Sequence, residues 1–248
     1  DVLAKEGVET IFGYSGGAIL PTYDEVFKFN EANPENTMPL IVPSNEQGAG
    51  FMASGYARST GKPGVVMVTS GPGATNTVTP VRDAMADSIP LVIICGQVSR
   101  QAIGSDAFQE APVSSVMGSV AKHVFLVTDE KKLAATLSAA FEVAKSGRPG
   151  PVVVDIPKDV QTAEISEEDF EDANISAYAN RIQTIEESRL TEKESSDFFA
   201  HLMNSKKPLI YFGGGVISAN ASEELREFVE HFNLPVVSTL MGLGAVDT

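Results

Sequence analysis

An acidic side chain opens a glycine-rich stretch in the first quarter of the chain. Glu46 follows a short apolar run at residues 40–43 and begins the sequence EQGAGFMASGYARSTG, which predicts a helix over 45–61. The helix contains three glycines, each of which costs about 1 kcal/mol relative to alanine. They are Gly48, Gly50 and Gly55. Stabilising the helix dipole would explain the acid but not the glycines. Close approach of a flat cofactor or of another chain would explain both.

Three glycine-rich turns follow predicted strands. Their sequences are GYSGGAILP from residue 13, TSGPGATN from residue 69 and FGGGVIS from residue 212. Ligands of open parallel sheets bind beyond the carboxyl ends of the strands, where such turns can present backbone amides to an anion. Each turn alone is also explained as an ordinary connection, and GGGVIS does not match the dinucleotide fingerprint. Two such turns together with the glycine-rich helix favour a ligand site in the first domain.

The apolar pattern predicts the elements that position these residues. Strands are predicted at 9–13, 40–43, 65–69, 90–95, 123–127 and 152–156, and helices at 17–29, 45–61, 74–86, 110–118 and 130–146. Ser44 and Gln47 have the spacing of a capping box for the second helix. Short apolar strands that alternate with helices are typical of a doubly wound α/β fold with a parallel six-stranded sheet. We expect this domain over 1–163, an acidic linker over 164–189 and the start of a second α/β domain over 190–248.

Composition excludes several classes of partner. The net charge is −15, from 33 acidic and 18 basic side chains, which argues against nucleic acid or an anionic membrane surface. No apolar run reaches the roughly 18 residues that a membrane span needs. The only cysteine, Cys95, is expected to be a buried strand residue, and three scattered histidines do not form a zinc site.

Five stretches, in order, resemble the amino-terminal half of the thiamine diphosphate-dependent acetohydroxyacid synthases (acetolactate synthases). They are FGYSGGAILPTYD, NEQGAGFMASGYAR, TSGPGATN, DAFQEA and SGRPGPVVVDIPKDV. The resemblance covers residues 1 to about 163 and continues more weakly through YFGGGVIS and TLMGLGAVD. It implies that the first domain binds the aminopyrimidine ring of thiamine diphosphate.

The resemblance assigns roles to individual residues. In this family the glutamate that matches Glu46 hydrogen-bonds N1′ of the aminopyrimidine ring and promotes proton loss from thiazolium C2. The glutamine that matches Gln109 lies beside the reacting centre. Phe108 and Lys158 match substrate-channel residues, although the residues alone allow a core aromatic and an ordinary surface lysine. Further cofactor-binding positions by this comparison are Gly16, Gly17, Ala18, Pro72 and Asn76.

The same comparison implies FAD, which is largely structural in this family. Arg148 matches an arginine that contacts FAD. Positions that match the FAD-binding central domain are Gly213, Gly214, Gly215, Thr239, Leu240 and Met241. The residues themselves indicate only a nucleotide-sized ligand near the glycines.

Several features depart from the family pattern. Ser15 and Ser99 stand where the family usually has proline, and Asn45 replaces a histidine that often precedes the glutamate. None of these changes removes a group that the chemistry needs. The family holds Mg²⁺ and the diphosphate through a Gly-Asp-Gly…Asn motif in a third domain, and this sequence lacks that motif. We therefore assign no metal ligand here and expect the chain to be a fragment that is inactive alone.

The implied activity is that of a transferase in branched-chain amino acid biosynthesis. Pyruvate would be decarboxylated on thiamine diphosphate, and its hydroxyethyl unit would pass to a second 2-keto acid. The family's active site forms between two subunits, so a homodimer or homotetramer is expected, with a regulatory subunit as a further partner. Sister enzymes such as pyruvate oxidase, sulfoacetaldehyde acetyltransferase and oxalyl-CoA decarboxylase remain alternatives, as does a non-enzymatic flavin- or nucleotide-binding module. The expected location is the cytoplasm, or a plastid or mitochondrion in a eukaryote.

Overall fold

The computed structural model describes residues 1–166, 169 and 190–247. The chain divides into two compact units, Asp1–Ile185 and Glu186–Thr248. The predicted acidic linker over 164–189 lies outside the described residues, apart from 164–166 and 169. The predicted domain limits at residues 163 and 189 therefore stay predictions.

The first unit is built on a parallel sheet of six strands in the order β2-β1-β3-β4-β6-β5. The strands are β1 (Ile11–Tyr14), β2 (Leu40–Ile41), β3 (Gly64–Val68), β4 (Leu91–Gln97), β5 (His123–Leu126) and β6 (Pro151–Pro157). The helices are α1 (Val2–Lys5), α2 (Leu20–Ala32), α3 (Glu46–Thr60), α4 (Pro72–Thr75), α5 (Val78–Asp87), α6 (Val113–Gly118), α7 (Leu133–Lys145) and α8 (Lys158–Gln161). The predicted doubly wound α/β fold is confirmed.

Both faces of the sheet are covered, which explains why its strands are continuously apolar. In β3, Val65 and Met67 enter a core with α2 and α7, whereas Val66 and Val68 enter a second core with α3, α5 and α6. Successive side chains of a strand point to opposite faces, so each residue needs an apolar side chain when both faces are buried. Cys95 is buried in β4, in the second core.

The structure corrects several predicted boundaries. The N-cap of α3 is Asn45, not Ser44, because the Asn45 side chain accepts a hydrogen bond from the Gly48 amide at 2.8 Å. The helix predicted over 74–86 is two helices, α4 and α5, and α2 begins at Leu20 rather than at residue 17. Here the residues before Leu20 form the turn that follows β1, so the glycines belong to the loop.

Two glycines of α3 have different surroundings. A Cβ atom at Gly50 would lie 2.3 Å from Cγ of Pro80, which is in α5, whereas a Cβ at Gly55 meets nothing within 4 Å. Gly50 therefore allows α3 and α5 to pack closely within this chain. Neither a cofactor nor a second chain is needed to explain it, which corrects that reading of this position.

The second unit begins a separate α/β arrangement. Its strands β7 (Ile210–Phe212) and β8 (Val236–Ser238) pair in parallel. Its helices are α9 (Glu192–Asn204), α10 (Gly214–Ser218) and α11 (Ser222–Phe232). Rings of α9 and α11 contact one another, including Phe198 with Phe228 and Phe199 with Phe232. Among the described residues of both units, no helix is long and apolar enough to cross a membrane.

Candidate active site

The predicted ligand loops lie at the point where the sheet reverses its order. The chain passes from β1 to β2 on one side and then returns to place β3 on the other side of β1. In parallel sheets this switch point opens a crevice beyond the carboxyl ends of the strands. The turn after β1 carries Gly16, Gly17 and Ala18, and the turn after β3 leads into α4, which begins at Pro72 and has Asn76 as its C-cap. The topology thus brings the two predicted turns side by side.

Thr69 joins these two turns. A Cβ at Gly16 would lie 2.5 Å from Cγ2 of Thr69, and a Cβ at Gly73 would lie 2.7 Å from the same atom. The Ala18 amide donates to the Thr69 hydroxyl at 3.3 Å. Both turns therefore need glycine to pack against this buried threonine. Sequence reasoning missed Thr69, although it is the first residue of the TSGPG turn.

Glu46 and Asn76 meet across the crevice. Nδ2 of Asn76 donates to Oε2 of Glu46 at 2.8 Å, which joins the start of α3 to the end of α4. The second oxygen, Oε1, would lie 3.6 Å from a Cβ at Gly73. It accepts no hydrogen bond from the residues that the structure describes. The half-buried carboxylate thus has one oxygen held in place and one available to a ligand.

Tyr23 of α2 is buried against β1 and β3. Its hydroxyl donates to the Met67 carbonyl at 2.7 Å, and a Cβ at Gly13 would lie 2.3 Å from that hydroxyl. Burial, and then the negative charge of Glu46, raise the pKa of Tyr23 above its ordinary value. The phenol therefore stays neutral, and its hydrogen bond fixes it against the Met67 carbonyl.

The half-buried side chain of Gln161 holds the turn after β1. Nε2 of Gln161 donates to the carbonyls of Ala18 at 2.7 Å and Ile156 at 2.8 Å, and its Oε1 accepts from the Thr22 hydroxyl at 2.8 Å. A Cβ at Gly96 would lie 2.5 Å from the Ala18 carbonyl oxygen. The backbone of the turn is therefore fixed from both sides.

Gln109 lies against the turn after β3. A Cβ at Gly71 would lie 2.3 Å from the Gln109 carbonyl oxygen, so only glycine permits this contact. Phe108 is 88% exposed, which shows that the reading as a core aromatic was wrong. Lys158 is exposed as the first residue of α8. The roles of Phe108 and Lys158 in a substrate channel stay predictions.

Arg148 has a structural partner within the first unit. Its guanidinium donates to the carbonyls of Met85 at 2.9 Å and Ala86 at 3.0 Å, and to the Ser88 hydroxyl at 2.8 Å. These groups form the carboxyl end of α5, whose last carbonyls otherwise lack donors. Arg148 therefore caps this helix, and its contact with FAD stays a prediction.

In the second unit, the two segments matched to FAD binding contact each other. A Cβ at Gly213 would lie 3.2 Å from the Thr239 hydroxyl, and one at Gly214 would lie 2.9 Å from Cβ of Met241. Gly215 has open space around it, and Leu240 is 82% exposed. The glycine turn after β7 thus packs against the turn after β8, which explains two of the three glycines without a ligand.

The residues around Glu46 fit the aminopyrimidine ring of thiamine diphosphate. An aminopyrimidine offers a ring nitrogen that exchanges a proton with a carboxyl group, and Glu46 presents one such oxygen beside glycine backbone. Gly17 has no neighbour within 4 Å of its Cβ position, which leaves room above the turn. The donor set therefore matches a flat, nitrogen-containing ring at this crevice.

Comparisons with known proteins agree with this geometry. The model of the thiamine pyrophosphate enzyme N-terminal TPP binding domain matches residues 1–118, and that of the central domain matches residues 196–248. The mitochondrial acetolactate synthase catalytic subunit of Saccharomyces cerevisiae is 44% identical over 100% of this chain. An acetolactate synthase of Arthrospira platensis is 43% identical over 100% of the chain, and the acetolactate synthase large subunit of Lactococcus lactis is 42% identical over 98%.

The chain spans only part of these relatives: 35% of the yeast protein, 42% of the Arthrospira protein and 40% of the Lactococcus protein. Both matched domains are of one family, and they match in the order in which the two units occur along the chain. The chain therefore belongs to the thiamine pyrophosphate enzyme family, with residues 1–118 matching its N-terminal TPP binding domain and residues 196–248 matching its central domain.

Proposed function

We propose that this chain supplies the aminopyrimidine side of the active site of an acetolactate synthase. The reaction would decarboxylate pyruvate and transfer its two-carbon unit to a second 2-keto acid. The observation that carries the proposal is the Asn76–Glu46 hydrogen bond of 2.8 Å at the switch point. The acetolactate synthases that align over the whole chain support this member of the family over its sister enzymes.

Bound thiamine diphosphate would supply a thiazolium that accepts the electrons released with carbon dioxide. The task of Glu46 is to hold a proton at the ring nitrogen of the aminopyrimidine through Oε1. Asn76 fixes the other oxygen and thereby the orientation of the carboxylate. The turns with Gly16, Gly17, Ala18 and Pro72 would lie along the ring, with backbone atoms close to it.

Gln109 and the substrate-channel residues would complete the side where the 2-keto acid enters. Phe108 is exposed enough to contact a substrate or another subunit. Lys158, at the carboxyl end of β6, offers a positive charge to the carboxylate of a keto acid. These assignments follow from the resemblance and from placement at one edge of the sheet.

FAD and Mg²⁺ are the other cofactors that we propose for the full-length protein. We infer that FAD is bound by the central domain through Gly213–Gly215 and Thr239–Met241, with Arg148 as a further contact. Mg²⁺ and the diphosphate would be held by residues outside this chain, on a second subunit of a homodimer or homotetramer. A regulatory subunit is a further expected partner, and the compartment would be the cytoplasm, a plastid or a mitochondrion according to the source.

The test is a product assay on the full-length protein that contains this chain, with thiamine diphosphate, Mg²⁺ and FAD. Pyruvate should yield 2-acetolactate, and adding 2-ketobutyrate should yield 2-aceto-2-hydroxybutyrate. With inorganic phosphate and O₂ added, acetyl phosphate from pyruvate would indicate a pyruvate oxidase, and acetyl phosphate with sulfite from sulfoacetaldehyde would indicate the acetyltransferase. Formyl-CoA from oxalyl-CoA would indicate a decarboxylase. Any of these as the main product would contradict the proposal.

A further inference from the structure

The loop that carries Gln109 is closed by the side chain that follows it. The amides of Gly104 and Ala107 donate to Oε1 and Oε2 of Glu110, the second at 3.0 Å. The Glu110 amide donates in turn to the Ala107 carbonyl at 2.9 Å. One carboxylate thus ties together the backbone of the loop over residues 104–110.

This loop holds backbone conformations that do not persist without support. Asp106 has φ 56° and Gln109 has φ 58°, both in the left-handed region that side chains other than glycine rarely adopt. Such positions cost about 1 kcal/mol or more each and persist only where surrounding contacts impose them. The hydrogen bonds to Glu110 are contacts of that kind, and they join the segments on both sides of Asp106.

Gly71, in the turn after β3, packs closely against the Gln109 backbone. A Cβ at Gly71 would lie 2.3 Å from the Gln109 carbonyl oxygen and 3.0 Å from its Cα. The Gln109 backbone therefore lies between the turn after β3 and the loop that Glu110 closes. Because the Glu46 partner Asn76 follows this same turn, a shift of the loop would move Gln109 relative to Glu46.

We propose that Glu110 is a positioning residue that fixes Gln109 at the active site. The inference rests on the proposed function, in which Gln109 lies beside the reacting centre. The amides of Gly104 and then Ala107 hold the pKa of the Glu110 carboxyl below its ordinary value. At neutral pH Glu110 is therefore a carboxylate, with both oxygens able to accept.

The experiment compares Glu110→Gln with the wild type in the full-length protein. Glutamine has nearly the same shape, but it places an NH₂ donor opposite one of the two amide donors. We expect amide hydrogen exchange to accelerate about tenfold or more within 104–107, with α3 and α5 unchanged, because the local opening equilibrium shifts. We expect kcat for acetolactate formation to fall about tenfold, in line with a misplaced reacting group. Glu31→Gln, an exposed carboxylate on α2, is the matched control.

The double variant with Gln109→Ala distinguishes positioning from a general effect on the fold. If Glu110 acts through Gln109, Glu110→Gln should lower kcat less than about threefold in the Gln109→Ala background. An equal loss in both backgrounds, or unchanged exchange in 104–107, would overturn the proposal while leaving the proposed function intact. If Gln109→Ala alone leaves kcat unchanged, the assignment of Gln109 in the proposed function fails, and the positioning role fails with it.

Discussion

At the scale of single residues, the two oxygens of the Glu46 carboxylate have different surroundings. Nδ2 of Asn76 donates to Oε2 at 2.8 Å, whereas Oε1 lies near Gly73 and accepts no hydrogen bond from the described residues. Asn45 caps the helix below them, where a histidine often stands in the family. An amide donor can orient a carboxylate without neutralising it, because it carries no charge.

Substituting Asn76→Ala removes this orientation. We expect kcat to fall about tenfold to a hundredfold in the full-length protein, because a misoriented group loses part of the gain from general acid–base catalysis. The melting temperature should change little, since the hydrogen bond lies at the surface of the crevice. Thiamine diphosphate titration and steady-state kinetics would check this result. An unchanged kcat would show that Asn76 does not orient Glu46.

At the scale of elements, the packing of α3 separates two kinds of glycine. Gly50 contacts Pro80 of α5, whereas Gly55 faces open space on the same helix. Substituting alanine at either position gains about 1 kcal/mol of helix propensity. The difference in free energy of unfolding between the two variants therefore measures the effect of packing.

We expect Gly50→Ala to lower the free energy of unfolding of the chain by about 1–3 kcal/mol, because its Cβ would overlap the ring of Pro80. Gly55→Ala should leave this free energy unchanged or raise it by up to about 1 kcal/mol. Urea unfolding of both variants beside the wild type measures the difference. Equal changes in the free energy of unfolding would mean that the contact between α3 and α5 does not require glycine at position 50.

A buried carboxyl lies between β4 and β6. Oδ2 of Asp155 accepts from Gln97 at 3.0 Å, while Oδ1 has no partner among the described residues. Gln97 also donates to the Ala111 carbonyl at 3.2 Å and accepts from the Val98 amide at 2.9 Å. It therefore joins the two ends of the segment 98–111, within which the loop over 104–110 lies. Burial raises the pKa of Asp155 to about 7, against the opposing effect of the Gln97 hydrogen bond.

This pKa predicts a pH dependence of stability. Between about pH 4 and pH 7 the folded chain keeps a proton at Asp155 that the unfolded chain has lost. Stability should therefore fall by about 1.4 kcal/mol per pH unit across this window and level off above it.

Substituting Asp155→Asn should remove this contribution. The free energy of unfolding of the variant, relative to that of the wild type, should therefore increase from pH 4 to pH 7. Urea unfolding across pH 4–8 is the measurement. Parallel profiles for variant and wild type would contradict the raised pKa.

The elements could be predicted from the sequence where burial is uniform. The strands over 65–69, 90–95 and 152–156 were placed to within two residues, because both faces of the sheet demand apolar side chains. The loop over 104–110 could not be predicted, because its shape depends on left-handed residues and on a carboxylate that accepts backbone amides. Thr69 was missed for a similar reason. Its contacts with Gly16 and Gly73 exist only once β1 and β3 are adjacent.

At the scale of the whole molecule, the proposal requires two subunits for each active site. Glu46 would come from one subunit, and the Mg²⁺ and diphosphate ligands from the other. Two full-length variants can test this division, one with Glu46→Gln and one with its magnesium motif disabled. Random pairing in a two-fold dimer would leave one intact site in each mixed dimer, or about a quarter of the wild-type number of sites.

We therefore expect co-expression of the two inactive variants to restore up to about a quarter of the wild-type activity. The mixed dimer, isolated through two different affinity tags, should contain the activity. Each variant expressed alone is the control. If the purified, folded mixed dimer is no more active than either variant alone, Glu46 and the diphosphate site of each active site lie on the same subunit.

The turnover of Glu46→Gln in the full-length protein tests the catalytic role of Glu46 most directly. Glutamine keeps the shape and the acceptor for Asn76 but cannot exchange a proton with the aminopyrimidine ring. We expect acetolactate formation to fall at least about a hundredfold, as for removal of a general acid–base group. Glu31→Gln should retain wild-type kcat, and both variants should unfold at the wild-type temperature. A kcat for Glu46→Gln within about twofold of the wild type, for an enzyme saturated with thiamine diphosphate, would contradict a catalytic role for Glu46.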